Sequence, residues 1–440
     1  MKIITFGEIN KSLLYIFLMS TSCTIYKYIY GFTYIECFYP MNIYCSLYNW
    51  ILGPKDKCPR HRIFDPFFSY IGMIFISFFF LKERTNEDDK IPLERTTQFI
   101  GTQGAFKLRL IYNGEKNYLK SIKGFLFYIL ILFLWIAEEN LILIYVDIIQ
   151  DLDFWFFELI FVSLIYSRLF LSKILSHQKL GMVISIIVGS LLKIFSITVT
   201  LTSGSEKVFY NKYRWLISFV IIYFGLIILR SYVNTQIKIF FDLKYISQRI
   251  LLTSYGIAGV IILGLTGLFT SNVPCFENLE KYVCNFDYEG NLYYDNFDSY
   301  YESGKNMLVR LIAIFLGIIA FFFEKYFSTL IIKLYSPIHF IFSFPVEYFV
   351  EKTFLLIFTA IFFRDDLFKE ANQLQKFLMD ESGDIFSIIG FLIYLEIIQM
   401  HFCNLDYNLT NNIIDRGNEE IKELSALYKD LESDKFQNED

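Results

Sequence analysis

Charge is scarce in this chain, and so are the short motifs that pumps and most enzymes need. Asp, Glu, Lys and Arg make up 19% of its 440 residues, against about 25% in a typical soluble domain. The shortfall falls in whole stretches of roughly 18 residues with one charge or none, the length that a hydrocarbon slab about 30 Å thick demands of a helix. No G-x-x-x-x-G-K-[ST] phosphate loop, H-E-x-x-H pair or G-x-S-x-G elbow occurs, which argues against an ATP-driven pump and a membrane metalloprotease. The four histidines, His61, His177, His339 and His401, have no partner at metal-ligand spacing, and no paired C-x-x-C is present. No metal and no cofactor are therefore expected, and no nucleophile–base constellation points to an enzyme. The net charge of −5 offers no basic footprint for nucleic acid.

What is present is apolar. Hydrophobic residues account for 55% of the chain and aromatics for 20%, with 50 Phe and 32 Tyr, and the mean hydropathy is +0.42. Phe, Tyr, Ile, Asn and Lys are all richly used, as an AT-rich coding sequence would produce, so the aromatics are compositional bias first and interfacial belts second. Ten segments have the length and apolarity of spans: 12–30, 64–81, 124–149, 154–171, 180–202, 213–233, 250–270, 307–323, the Pro-interrupted 337–363, and 385–402. Backbone groups in lipid must be satisfied within their own segment, and a barrel would show short alternating strands instead. The predicted fold is all-α, a polytopic bundle of about ten transmembrane helices. The first segment also suits a signal peptide, with Lys2 and Lys11 ahead of the apolar run. Glu8 interrupts that basic region and no small-x-small cleavage site follows, so an uncleaved helix is expected.

Orientation follows from the loops. With a cytoplasmic N-terminus, segments 82–123, 172–179, 234–249, 324–333 and the tail lie inside and hold the larger share of Lys and Arg, as the positive-inside tendency requires. Cys37, Cys45, Cys58, Cys275 and Cys284 then lie outside or in a lumen, where disulfides persist. Cys275 and Cys284 share one loop and are the best candidate pair; free thiols are the alternative, to be separated by mass spectrometry of the unreduced protein. Both termini are expected in the cytoplasm, with the protein in an endomembrane (ER or Golgi) or the plasma membrane.

Polar residues inside the spans carry the functional signal, because each is unfavourable in hydrocarbon unless paired or wet. Glu138, Glu139 and Asn140 stand in the middle of the third segment. Adjacent helical positions point about 100° apart, so one carboxylate faces a neighbour and the other must find a cavity. Protonation, or a hydrogen bond to another helix, is the structural alternative. Lys193 lies inside the fifth segment, where snorkelling explains it equally well. Arg230 and Arg310 fall near span ends and read as interfacial anchors, Arg310 remaining a candidate contact. Glu347 and Glu351 share a helix face behind Pro337 and Pro345, and broken helices line transporter sites; a plain kink explains Pro345 as well. Glu396 is a lone acid in the last segment.

Four strings go further: SHQKLGMVISIIVG (176–189), LKYISQRILLTSYGIAG (243–259), LYSPIHFIFSFPVEYF (334–349) and GFLIYLEIIQMHFCNLDYNLTNNIIDR (390–416). With ten spans divided five and five, they resemble the drug/metabolite transporter superfamily of EamA-like permeases and nucleotide-sugar transporters, in particular its uncharacterised protist and fungal members. The resemblance covers most of the chain from about Gly124 onward; the loops 82–123 and 271–305 are longer than in compact members. It implies two five-helix inverted repeats, 1–205 and 206–403, and a central cavity with alternating access, while the polar, mixed-charge composition of 404–440 reads as a cytosolic tail, a short solvated helix or a disordered end. The implied partners are the lipid bilayer and a small polar metabolite of nucleotide-sugar or phosphorylated type. Glu138, Glu139, Asn140, Lys193, Arg310, Glu347 and Glu396 are the candidate contacts. A non-transporting scaffold or receptor acting through the tail stays open beside it. A transporter needs a hydrated cavity around its buried charges, whereas a scaffold pairs each one tightly.

Overall fold

The computed structural model describes residues 6–34, 64–81, 119, 121–149, 155–170, 176–203, 206–242, 244, 246–270, 285–286, 292–293, 307–362 and 371–400. They form an all-helical bundle: α1 (Phe6–Tyr34), α2 (Phe64–Phe80), α3 (Ile122–Ile149), α4 (Trp155–Phe170), α5 (Ser176–Ser203), α6 (Glu206–Asp242), α7 (Gln248–Thr270), α8 (Met307–Leu334), α9 (Pro337–Ile341), α10 (Ser343–Phe362) and α11 (Ala371–Tyr394). Among the described residues the only β structure is a two-residue antiparallel pair, β1 (Asn285–Phe286) with β2 (Leu292–Tyr293). Each of the ten apolar segments overlaps a helix, since an uncharged run free of breakers leaves the backbone no better partner than itself. Two of these helices are long and apolar enough to cross a bilayer by length and composition among the described residues, over Gln248–Phe269 and Ile314–Leu334.

Three boundaries differ from expectation for one reason, that charges end an apolar run without ending a helix. Residues 234–249 were expected as an inside loop, yet α6 continues to Asp242 with Asn234, Gln236, Lys238 and Asp242 buried. The Lys238 ammonium is 3.3 Å from Asp242 and donates to the Lys333 carbonyl at 2.8 Å, capping the last turn of α8. Likewise 324–333 is not a loop but the C-terminal part of α8, with Lys325 turned inward. The last helix starts at 371 rather than 385, because the charged stretch before Ile385 belongs to it and buries Glu381 and Asp384, the latter 2.9 Å from Lys352 on α10, and it ends at 394 rather than 402.

Glu396 is therefore not a mid-span acid. It follows the end of α11 at φ 59°, with its N–H bonded to the Ile393 carbonyl at 2.9 Å and the Ile397 N–H to the Leu392 carbonyl at 3.0 Å. That is the Schellman pattern, in a position where glycine is the usual occupant. The Pro-bearing segment is interrupted at Phe342. Ser336 caps α9 with Pro337 in its first turn, and α10 restarts at Ser343. Pro345 is the third residue of α10, where a missing N–H leaves no helical bond unmade.

The closest helix pair is α5 on α11. Ser185 donates to the Ser387 carbonyl at 3.0 Å, and a Cβ built on Gly390 would stand 2.6 Å from the Gly181 carbonyl oxygen. Small residues at such a crossing let backbones meet, the means by which helices pack without a hydrophobic drive. Among the described residues a small apolar cluster lies around Tyr223 and Ile227, and two large ones form the core. Tyr70, Trp135, Phe240, Tyr255 and Phe321 belong to one, and Ile16, Leu159, Phe342, Phe344 and Phe391 to the other. Outside, Phe79, Leu126, Leu164, Ile187, Ile221, Ile261 and Phe315 are exposed, while inside Ser20, Thr235 and Ser387 are buried and return their hydroxyls to the i−4 carbonyl. Large apolar side chains therefore stand on the outside of the bundle as well as in its core.

Candidate functional site

The charged network sits between the two apolar clusters. It starts from Glu138 and Glu139 on α3, a helix packed against α6 on one side and α7 on the other. The two carboxylates diverge, and each meets a different helix. Glu139 Oε1 accepts from Trp135 Nε1 one turn earlier at 2.6 Å and from Lys325 Nζ on α8 at 2.9 Å. Its Oε2 accepts from the Tyr255 hydroxyl of α7. That hydroxyl lies 3.1 Å from the Tyr70 hydroxyl of α2, and both rings are buried. Lys325 also reaches Glu324 at 2.8 Å.

Glu138, 1% exposed, faces the other way, with Arg230 Nε of α6 at 3.4 Å from its Oε1. Arg230 Nη1 stands 3.4 Å from Glu158 Oε2 on α4, and the guanidinium lies 4.3 Å above the ring of Phe344 in the first turn of α10. The result is two carboxylate–cation–carboxylate triads side by side, Glu138–Arg230–Glu158 and Glu139–Lys325–Glu324. The expectation that one of the two adjacent glutamates must turn to a cavity is corrected: α3 is packed on both flanks, so both find cations.

Asn140 donates to its own i−4 carbonyl, Ile136, at 2.7 Å and reaches the Tyr70 hydroxyl. Glu347 is buried in the first turns of α10; it accepts from the Cys23 thiol of α1 at 3.1 Å and lies within electrostatic reach of Glu324. Four of the sequence candidates thus surround one region. Glu396 is in a helix cap away from it. Lys193 and Arg310 belong to α5 and α8, but their side chains lie outside the described residues, as do Cys275 and Cys284.

Arg230, Lys325, Glu158 and Glu324 are the members that the sequence did not single out as contacts. Arg230 lies inside α6, which extends 12 residues beyond it, and its guanidinium turns to acids of α3 and α4. One signal was available, since an Arg and a Lys flanking apolar runs could balance the two glutamates of the third segment; Glu158 and Glu324 carried none. No ion-ligating group of three or more His, Cys, Asp and Glu occurs among the described residues. No protein-family model matches the chain, and no curated protein is significantly similar to it.

Proposed function

We propose that the chain is a multi-pass membrane protein of about ten spans, and a secondary transporter of a small polar solute whose coupling site is the Glu138–Glu139 network. The observation that carries this reading is the pair of charged triads inside a bundle whose exterior is apolar. Ionisable groups at such positions mark ion and substrate pathways, and exposed Leu, Ile and Phe side chains each regain about 1.5–3 kcal/mol when taken out of water. The two-half organisation of the drug/metabolite transporter superfamily, split near residue 205, is the architecture this reading adopts. Arg230 and Lys325 are each held between two carboxylates, so a phosphate would have to displace a carboxylate to reach either. A neutral or cationic solute suits the site better than a nucleotide-sugar.

The second reading, a non-transporting scaffold, is favoured by the close pairing of Lys325 with Glu139 and Glu324. Uptake into liposomes containing the purified protein separates the two, with neutral, cationic and phosphorylated solutes tested in turn. Glu139→Gln removes a charge-assisted bond of about 1.5–3 kcal/mol and should lower uptake about tenfold or more while the protein stays monodisperse. No uptake of any solute above protein-free liposomes, with Glu139→Gln indistinguishable from the parent, would leave the scaffold standing.

A further inference from the structure

Within this proposed coupling site the two adjacent glutamates are not equivalent. Both oxygens of Glu139 are used, by Trp135, Lys325 and Tyr255. Glu138 is more deeply buried, at 1% exposure, and its Oε1 accepts no hydrogen bond although Arg230 Nε is 3.4 Å away. The same guanidinium is divided between Glu138 and Glu158, at 3.4 Å from each, where a charge-assisted bond would close to about 2.7–2.9 Å. Lys325 also faces Glu138 from α8, but its ammonium is taken up by Glu139 and Glu324. At equal distance from two buried carboxylates and tight on neither, the guanidinium has room to close on one or on the other. Two carboxylates that share one cation oppose each other's ionisation, so drawing the guanidinium onto one favours the neutral form of the other.

We propose that Glu138 is a proton-carrying group, exchanging a proton for its share of Arg230, while Glu139 is the fixed anion that anchors Lys325. On loading, the Glu138 carboxylate gains one proton as an O–H and Arg230, which stays protonated throughout, closes on Glu158. On release, the proton leaves and the guanidinium returns. Because Arg230 lies over Phe344 just after the break at Phe342, this exchange acts directly on the start of α10. The inference deepens the transporter reading by naming a proton as the coupling ion, and its test needs no transported solute.

Infrared difference spectra between acid and neutral pH, taken on the full-length protein in lipid nanodiscs, report protonated carboxyls by their C=O stretch. The parent should show a titrating carboxyl band that is lost in Glu138→Gln and kept in Glu139→Gln. A band absent from the parent across the pH range in which it stays folded would overturn the proposal, as would a band lost in Glu139→Gln and kept in Glu138→Gln. If Glu138→Gln does not fold, Glu138→Asp serves instead: a shifted band supports the assignment and an unshifted one refutes it. Uptake in liposomes then stands or falls separately.

Discussion

Gly390→Leu should prevent α5 and α11 from closing, and the variant should elute as aggregate or unfold at markedly lower temperature than the parent. A Cβ at residue 390 would stand 2.6 Å from the Gly181 carbonyl and 2.9 Å from the Ser185 backbone nitrogen. Those atoms belong to the backbone of a packed helix and have no rotamer with which to yield. Overpacking in ordinary cores costs about 1–3 kcal/mol, with flexible side chains absorbing part of the strain. Here even Gly390→Ala should reach the upper end of that range, and leucine should exceed it. Gly225→Leu is the matched control, since nothing lies within 4 Å of a Cβ built there. Size-exclusion profiles and thermal unfolding in detergent give the comparison. Equal stability of the Gly390 and Gly225 variants would mean that the α5–α11 crossing is not as close as described.

Lys325→Met should be the most damaging change in the charged network. Its ammonium lies 2.9 Å from Glu139 and 2.8 Å from Glu324, with the side chain 10% exposed. Methionine fills a similar volume but leaves two inward-facing carboxylates without their cation. Breaking a buried pair from one side costs about 3–5 kcal/mol. Adding Glu139→Gln to Lys325→Met should restore a measurable part of that loss, because the amide oxygen still accepts from Trp135 and the amide NH2 donates to the Tyr255 hydroxyl, with no charge left to satisfy. Denaturant unfolding of the single and double variants measures the coupling. Additive losses would show that Lys325 and Glu139 do not stabilise one another. A neutral single variant would mean that the ammonium is solvated rather than clamped.

The helices themselves were legible in the chain because their cause is local. Long apolar runs with few charges are too long for strands and favour helices, and α2, α3, α4, α5 and α7 lie close to where their hydropathy places them. The middle position of Glu138 and Glu139 on a 28-residue helix was legible for the same reason. Helix ends were not always so. Residues Asn234–Asp242 and Lys325–Leu334 look like loops to any measure that stops at a charge, and they are helical because Lys238 and Lys325 find acceptors on other helices. The end of α11 was missed for a different reason, since its Schellman cap uses Glu396 where a glycine would have announced it.

The sequence by itself determined that this chain is helical, apolar outside the loops, and burdened with acids in the middle of its third apolar segment. Only the tertiary structure decided which cations answer those acids. Glu138 and Glu139 differ by one position and about 100° of helical rotation, too little for sequence to say which faces what. The packing of α6 on one flank of α3 and of α7 and α8 towards the other assigns Arg230 to Glu138 and Lys325 to Glu139. Ion pairs across 92 and 186 residues of chain are set by helix packing, and helix packing here rests on where backbones come close enough to touch.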